Sequence, residues 1–392
     1  MFIEKVQENN RALIEFAFHL HQKGLILPDT YVLDYDTIME NGRKMKEIAD
    51  PLGVKLFFML KQLGRNPEIA KGLQELGFDG VVAVDFKETL VMLKNHIKLG
   101  NVGHLVQIPK ACIKEVVAAR PTVMTVYSYE KILEINQAAQ ELDMIQPIML
   151  RISDSDSEFY SGQVGGFMVD ELEALIDRIE MLKHVRIGGL TIFPALLYDE
   201  SKNEITPTAN YHALKRGRLL LEKRGYHDLL INLPSATCMA SIPLIHELGG
   251  NNGEPGHGLT GTTPFHKNND GYERTGYVYV SEISHNYLDK AYCYGGGHYR
   301  RGHLKYALVG HSADDLKLTK AYAVHDDSID YHFELDGRFD VGDTVLMCFR
   351  AQMFTTRSHI AVVKGLKDHR PELFGIYDAY GHMLKKGETN EG

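Results

Sequence analysis

The feature that most constrains the fold is a regular alternation of short apolar runs with helical patterns. Eight apolar runs begin about 20 to 25 residues apart in most cases, near Val54, Gly80, Gly103, Thr122, Pro147, Val185, Leu229 and Gly253. Helical patterns separate many of them, at residues 66–76, 86–96, 128–142, 169–182 and 209–224. Strands that alternate with helices form a parallel sheet. A count of eight favours a closed (β/α)8 TIM barrel over a doubly wound sheet.

The pattern changes after about residue 275. Short strand-like runs follow one another there without a long helix, at residues 277–280, 291–294, 306–309, 331–333, 345–347 and 360–363. This pattern is typical of an all-β domain. We therefore predict a helical N-terminal extension, a barrel, a β-rich C-terminal domain and a disordered polar tail, with boundaries at residues 1–29, 30–270, 271–380 and 381–392.

Composition excludes several classes of protein. A chain of 392 residues is longer than one hydrophobic core usually covers, and its net charge of -9 argues against a nucleic-acid-binding protein. No apolar run approaches the roughly 18 residues of a membrane helix, and no secretory signal is recognisable. The cysteines are too far apart for a disulfide framework or a zinc ribbon, at positions Cys112, Cys238, Cys293 and Cys348. We expect a cytoplasmic protein.

A lysine lies at the end of the first predicted barrel strand. Lys61 follows the apolar residues 56–60, and active sites of TIM barrels lie where the strands end. Desolvation there favours the neutral amine, which can attack a carbonyl group. Alternatively, Lys61 only ends the strand and extends into water. Arg65 lies four residues further on, where it can bind a phosphate or remain a solvated loop residue.

The second candidate is the turn after the seventh strand. The sequence Asn232-Leu233-Pro234-Ser235-Ala236-Thr237 offers two hydroxyl groups and free backbone N–H groups where a helix begins. Such a turn can bind a phosphate. It can equally serve as an ordinary helix N-cap.

The third candidate follows the eighth strand, in the sequence Glu254-Pro255-Gly256-His257-Gly258. Closely spaced glycines let backbone amides approach an anion. A carboxylate just before them can accept a hydrogen bond from a protonated ring nitrogen. A glycine turn alone indicates little, but candidate groups after strands 1, 7 and 8 are unlikely to coincide by chance.

With these motifs, the sequence resembles the fold-type III enzymes that depend on pyridoxal phosphate. These include alanine racemase, its broad-specificity relatives and the basic amino-acid decarboxylases. The resemblance covers about residues 30 to 265, and a β-rich domain follows as it does in that family. Within the family, the sequence looks closest to an alanine-racemase-like branch of YhfX type.

The resemblance implies a role for each candidate. Lys61 matches the family lysine that bonds to the cofactor, and Ser235 and Thr237 match the phosphate-binding turn. The second phosphate loop of the family corresponds to the segment with Gly256, His257 and Gly258. Glu254 occupies the place of the partner of the pyridine nitrogen.

The resemblance leaves the reaction type open. A carboxylate at position 254 follows the Glu-Pro-Gly pattern of the decarboxylases, whereas alanine racemase has arginine there. A carboxylate keeps the pyridine nitrogen protonated and makes the ring a strong electron sink. The segment that starts at Arg151 instead resembles the strand-5 loop of the racemases, which makes Arg151 a candidate cofactor-binding residue. The His-x-Gly-Ser motif of the decarboxylases is missing.

Racemisation also needs a second acid or base opposite Lys61. In the family, a Tyr or Cys from the partner subunit's β domain supplies it, and residues 291–299 here hold several proton carriers beside three glycines. We select Cys293 from this segment, although it can also be a buried strand residue. Some relatives bind zinc through a His-x-Cys pair, which is absent here, so we expect no metal.

The resemblance thus implies an amino-acid racemase that uses pyridoxal 5'-phosphate and works as a homodimer. A decarboxylase or a D-amino-acid lyase or aldolase is the alternative reaction. A non-catalytic carrier of pyridoxal phosphate is the alternative outside enzymes. Such carriers have a single barrel, and the roughly 110 residues after residue 275 favour the enzyme because they provide a domain that carriers lack.

Overall fold

The computed structural model describes residues 2–387, which form two compact units. The barrel unit consists of Arg43–Leu60 and Ala70–Gly256. The β unit consists of Met1–Gly42, Lys61–Ile69 and His257–Gly392. None of the helices within residues 2–387 is both long and apolar enough to cross a membrane.

The barrel unit contains the predicted (β/α)8 barrel. Its eight strands are parallel, each pairs with the next, and the eighth pairs with the first. In chain order, barrel strands 1 to 8 are Lys55–Met59, Gly80–Ala83, Leu99–Val102, Val123–Val126, Gln146–Ser153, Val185–Thr191, Leu230–Asn232 and Asn252–Gly253. The prediction of a barrel is therefore confirmed.

Two of the helices that follow these strands begin at a side-chain cap. Asp85 accepts a hydrogen bond from the amide of Glu88 at 2.8 Å, and Ser128 accepts one from the amide of Lys131 at 3.3 Å. The helices of the whole chain are Phe2–Asn9, Arg11–Gln22, Tyr35–Ala49, Pro67–Glu75, Phe86–Lys94, Lys110–Ala118, Tyr129–Glu141, Leu172–Glu180, Tyr211–Lys223 and Ile242–Glu247. Among those within residues 86–247, Lys110–Ala118 packs against Tyr129–Glu141, and the others pack against barrel strands.

The β unit is built on one ten-stranded sheet. In spatial order its strands are Lys290–Tyr294, His332–Asp336, Lys317–Tyr322, Tyr306–Gly310, Thr344–Met347, Tyr277–Tyr287, Thr30–Asp34, His359–Lys364, Glu372–Tyr377 and Met383–Lys386. Tyr277–Tyr287 also pairs with Lys290–Tyr294, so the first six strands form a closed ring. All pairs are antiparallel except that of Thr30–Asp34 with His359–Lys364.

The predicted boundaries need three corrections. Strand Thr30–Asp34 pairs with two strands of the sheet, so the barrel does not begin at residue 30. Residues 257–270 also belong to the β unit rather than to the barrel. Met383–Lys386 is a strand and not part of a disordered tail, while residues 388–392 lie outside the described residues.

Two short pairings complete the description of the strands. Leu196–Asp199 and Glu204–Pro207 form an antiparallel hairpin after barrel strand 6. Phe167–Met168 pairs in parallel with Ile152 and Ser153 at the end of barrel strand 5, after the loop of residues 154–166. Both lie in segments that follow the carboxyl ends of barrel strands, where barrel enzymes carry their functional loops.

Candidate active site

One buried candidate is Glu254, directly after barrel strand 8. Its residue is 4% exposed, and its side chain is fully buried. Oε1 accepts hydrogen bonds from the side-chain amides of Asn101 at 3.0 Å and Asn232 at 2.8 Å. The Nε2 atom of the buried His104 lies 3.6 Å from Oε2. A carboxylate in the barrel interior with these donors is suited to a cationic partner.

The turn after barrel strand 7 is held next to this carboxylate. The hydroxyl oxygen of Thr237 accepts a hydrogen bond from the Glu254 amide at 3.1 Å. Ser235 and Ala236 both have a left-handed backbone, with φ of 78° and 48°. Two such residues in succession are strained, and a turn of this kind exposes neighbouring N–H groups to an anion. The structure thus places Glu254, Ser235 and Thr237 together.

Arg151, near the end of barrel strand 5, is 1% exposed. Its Nη1 donates to the carbonyl of His104 at 3.3 Å, and its Nη2 donates to the carbonyl of Gln163 at 2.5 Å. Three aromatic rings lie within 5.1–5.8 Å of the guanidinium carbon, those of Tyr127, Phe159 and Phe193. Burial lowers the pKa of Arg151, and the neighbouring Tyr127 opposes this change. Arg151 therefore belongs to the same buried polar region as Glu254.

Lys61 and Arg65 belong to the β unit, although they follow barrel strand 1 in sequence. Lys61 is half-buried, and its carbonyl accepts a hydrogen bond from the Phe354 amide at 3.2 Å. Arg65 is 2% exposed, and its guanidinium carbon lies 5.1 Å from the ring centre of Phe354 and 5.3 Å from that of Tyr380. The interpretation of Arg65 as a solvated loop residue is therefore wrong.

The backbone between these two residues is tightly constrained. Gly64 and Arg65 have φ of 61° and 53°, and a Cβ atom on Gly64 would lie 2.6 Å from Cγ1 of Ile360. Glycine is required at this position, because a Cβ atom would collide with Ile360 and a side chain at this φ angle is strained. This turn constrains the backbone from which the Arg65 side chain extends.

His257 lies in the same unit, in the turn after barrel strand 8. Its Nδ1 is 3.1 Å from the Thr262 hydroxyl, and its Nε2 is 3.4 Å from the side-chain amide of Gln352. Burial lowers the pKa of His257 well below its usual range, and the positive charges of Arg350 and Lys61 lower it further. A neutral imidazole surrounded by cations marks a positively charged part of the β unit. Gly256 and Gly258 on either side are buried.

Cys293 does not have the properties expected of an acid or base. It is fully buried in strand Lys290–Tyr294, where it pairs with Phe333. Burial raises the pKa of its thiol to about 12. The structure therefore supports the alternative of a buried strand residue. Because side chains alternate along a strand, Tyr294 lies on the other face and is 39% exposed.

Sequence reasoning did not identify the residues that surround Glu254. Asn101 lies within barrel strand 3, and His104 lies two residues after its end. Each is a single polar residue that forms no local motif. Asn232 lies in the predicted turn but had no role of its own. A buried asparagine in the middle of an apolar strand is the signal that points to such a network, because burying an amide without partners is costly.

These residues fit pyridoxal phosphate. In the barrel unit, Glu254 suits a protonated ring nitrogen, and the strained Ser235-Ala236 turn suits a phosphate. In the β unit, the Lys61 amine is a group that can bond to an aldehyde, and the buried Arg65 guanidinium is one that can bind a phosphate. In the part of the chain that the structure describes, no group of three or more His, Cys, Asp and Glu side chains is arranged to bind a metal ion.

Comparison with known proteins agrees with this geometry. Residues 33–264 match the family described as alanine racemase, N-terminal domain, and residues 278–373 match the YhfX-like C-terminal domain. The chain is 42% identical to the uncharacterized protein YhfX of Escherichia coli (strain K12) over 386 residues, which cover 98% of this chain and 100% of that protein.

Solved structures show the same fold at low sequence identity. D-threonine aldolase from Filomicrobium marinum has a TM-score of 0.64 and 14% identity, and covers 90% of this chain and 94% of its own. Alanine racemase of Clostridium difficile 630 has a TM-score of 0.63 and 16% identity, with coverages of 90% and 99%. Diaminopimelate decarboxylase from M. jannaschii has a TM-score of 0.62 and 14% identity, with coverages of 92% and 90%.

The barrel, the β sheet and the polar groups after barrel strands 1, 7 and 8 define the class: an alanine-racemase-like fold of the pyridoxal-phosphate enzyme superfamily. The chain belongs to the alanine racemase N-terminal domain family. It carries a C-terminal domain of YhfX type. Enzymes of this family and the related fold-type III enzymes use pyridoxal phosphate.

Proposed function

We propose that this protein is a pyridoxal-phosphate-dependent enzyme that acts at the α-carbon of an amino acid, as an amino-acid racemase. The observation that carries the proposal is the buried Glu254, which two amide donors hold in the barrel interior. When bound, pyridoxal phosphate withdraws electrons from the α-carbon, most strongly when its ring nitrogen is protonated. A charged Glu254 favours that protonated state.

The remaining candidates hold the cofactor and its substrate. Lys61 bonds to the cofactor and moves the α-proton on one face, because its amine is the nucleophile after barrel strand 1. Arg151 binds a negatively charged oxygen in the buried region beside His104. The phosphate is bound by groups from three turns, namely Arg65, Ser235, Thr237, Gly256, His257 and Gly258.

Tyr294 replaces Cys293 as the proposed second acid or base. Both belong to the segment of proton carriers next to the three glycines, but only Tyr294 exposes its side chain. A phenol can donate a proton to a carbanion and take one from an α-carbon. In a homodimer, Tyr294 of one subunit serves the site that contains Lys61 of the other.

The first experiment is a visible spectrum of the purified protein. The wild type should show the yellow band of a lysine-bound cofactor, and Lys61→Ala should lose it. Lys55→Ala is a matched control, because Lys55 is an exposed lysine at the start of the same strand. A wild type that takes up no pyridoxal phosphate contradicts the proposal.

A mixing experiment tests the role of Tyr294 in a dimer. Lys61→Ala and Tyr294→Phe should each lower racemisation at least about 100-fold. Mixed subunits should recover up to a quarter of the wild-type rate, since half of the dimers then carry one intact site. Cys293→Ser should keep the rate within a few-fold. No recovery on mixing contradicts the exchange of Tyr294 between subunits.

Decarboxylation or lyase cleavage is the second candidate, because Glu254-Pro255-Gly256 follows the decarboxylase pattern. Proton NMR in D2O with a panel of D- and L-amino acids separates the reactions. A racemase replaces the α-proton by deuterium and keeps the amino acid, a decarboxylase forms the amine, and an aldolase forms glycine and an aldehyde. A bound cofactor with no change in any amino acid favours a non-catalytic carrier.

A further inference from the structure

The two oxygens of the Glu254 carboxylate have different surroundings. Both amide donors, from Asn101 and Asn232, bind Oε1. Oε2 faces the imidazole of His104, at a separation of 3.6 Å that is longer than a hydrogen bond. The donors come from barrel strands 3 and 7, so strands on both sides of the barrel hold one oxygen of the carboxylate.

The Asn101 amide contacts a third residue at its other end. The Thr125 hydroxyl donates to Oδ1 of Asn101 at 2.7 Å, while the NH2 group of Asn101 donates to Glu254. Asn232 also shares its NH2 group with the hydroxyl oxygen of Thr191, at 3.2 Å.

An amide NH2 group can donate hydrogen bonds but cannot accept them. A protonated carboxyl that turned its O–H toward Asn101 or Asn232 would meet two donors. Burial favours the neutral carboxyl, whereas donors to its oxygen favour the charged one. All three residues are at most 4% exposed, so water does not replace the donors.

We propose that Asn101 and Asn232 are positioning residues whose hydrogen bonds to Oε1 keep Glu254 a charged carboxylate. The inference rests on the proposed function only for the cation that this carboxylate faces, the ring nitrogen of pyridoxal phosphate. The arrangement of donors itself exists without the cofactor. It can therefore be tested in the apoprotein.

His104 is a titratable side chain that faces the same carboxylate. Its imidazole is fully buried, and its ring packs edge-on against Phe193 with ring centres 5.5 Å apart. A change in its protonation would also alter the titration of Glu254. His104→Gln is therefore included in the test, so that an effect of the imidazole is separated from the effect of the amides.

The first measurement is the titration of the Glu254 carboxyl carbon by NMR in apoprotein labelled with 13C-glutamate, with Glu254→Gln to assign the signal. Asn101→Leu and Asn232→Leu keep the side-chain shape and remove the donor. Each should raise the midpoint by about one to two pH units. Asn252→Leu is the matched control, because Asn252 is a buried asparagine whose NH2 group binds the Lys55 carbonyl instead.

Thr125→Val covers the case in which a leucine variant does not fold. It leaves Asn101 in place and only removes the hydroxyl that binds the amide oxygen of Asn101, so a smaller rise of the midpoint, below one pH unit, is expected. Unchanged midpoints in the folded variants overturn the inference. An equal rise in Asn252→Leu does so too, because it indicates a general effect of core substitution.

The second measurement uses holoenzyme reconstituted with 15N-labelled pyridoxal phosphate. The ring nitrogen should resonate as protonated in the wild type and shift toward the unprotonated position in Asn101→Leu and Asn232→Leu. An unprotonated wild-type nitrogen, with midpoints that still rise in the apoprotein variants, contradicts the role proposed for Glu254 and leaves the action of the two amides supported. The two failures are thus distinguishable.

Discussion

Glu254 in the barrel unit and Asp29 in the β unit are both shielded carboxyl groups, but different donors surround them. Amide groups donate to Glu254, whereas the hydroxyl groups of Tyr279 and Ser358 donate to Oδ1 of Asp29. Burial raises the pKa of Asp29 from 3.8 to about 6, and these hydroxyls offset only part of the rise.

The difference lies in what each donor can do when the carboxyl gains a proton. A hydroxyl can rotate and accept a hydrogen bond, so Asp29 can be protonated while its partners stay satisfied. An amide NH2 group can only donate, so the hydrogen bonds from Asn101 and Asn232 favour the carboxylate form of Glu254.

The largest expected effect is on the reaction rate, when each of the two carboxyl groups is replaced by its amide. Glu254→Gln should lower kcat/KM for racemisation by about 100- to 1000-fold, because the charge next to the cofactor ring is lost. Asp29→Asn should change it less than about threefold. Steady-state rates with the best amino acid check both. Similar losses in the two variants would remove the functional distinction between the carboxyls.

The next effect concerns the glycine that faces Asp29. Gly296 has φ of 131°, and a Cβ atom there would overlap the Asp29 carboxylate. Gly296→Ala should lower the free energy of unfolding by about 2–4 kcal/mol. Urea denaturation should show a smaller loss when the same substitution is made in Asp29→Ala. An equal loss in both backgrounds means that the backbone angle alone is responsible.

The pH dependence of stability sharpens the comparison further. The folded pKa of Asp29 lies above the value for an unfolded chain, so the stability from its proton is full below about pH 4 and is lost as the pH rises through 6. Asp29→Asn should therefore be more stable than the wild type above pH 7, by at most about 3 kcal/mol before solvent screening reduces it. At pH 4 the two should differ little.

Urea unfolding at pH 4.5 and 7.5 checks this expectation. Asp330→Asn serves as a comparison, because Asp330 is a neighbouring carboxylate that is already paired with Arg357 at 3.1 Å. A gain for Asp29→Asn that is the same at both pH values would contradict the raised pKa.

The smallest expected effect concerns Thr191, whose hydroxyl accepts a hydrogen bond from the Asn232 amide. Thr191→Val removes the hydroxyl that shares the NH2 group of Asn232 and leaves the bond to Glu254 in place. The rate should fall less than about threefold, and the free energy of unfolding by about 1 kcal/mol or less. A loss as large as that of Asn232→Leu would show that Thr191 and Asn232 act as one unit.

Much of the barrel could be predicted because its strands alternate with helices in a regular period. The exception is barrel strand 3, predicted near Gly103 and found at Leu99–Val102. Gly100 weakens the strand pattern in the sequence, because glycine is a poor strand former. In the structure, its backbone packs on the ring of Phe57. Gly103, with φ of 87°, lies just after the strand.

The sheet of the β unit was predicted less completely. Lys317–Tyr322 was missed because it is polar and mostly exposed, so its sequence has little apolar alternation. Thr30–Asp34 was not assigned to this sheet, because no local pattern indicates a pairing with strands that begin at residue 277. Partners that are distant in sequence leave no mark in local periodicity.

The same limit applied to the candidate site. Glu254, Ser235 and Thr237 lie in short motifs at strand ends, and the structure brings them together. Asn101 acts on Glu254 across 153 residues of sequence, with no motif of its own. Cys293 was selected by residue type alone, and type does not reveal which face of a strand a side chain occupies.

The position of strand Thr30–Asp34 has a consequence for synthesis on the ribosome. All five of its residues are buried in the sheet, between Tyr277–Tyr287 and His359–Lys364. Its first partner is translated roughly 240 residues later, which takes about 10 to 50 s at ordinary elongation rates. The strands of the barrel leave the ribosome in that interval and can pair at once. The nascent chain therefore carries an unpaired, mostly apolar strand throughout that interval, and this strand is a natural target for chaperones.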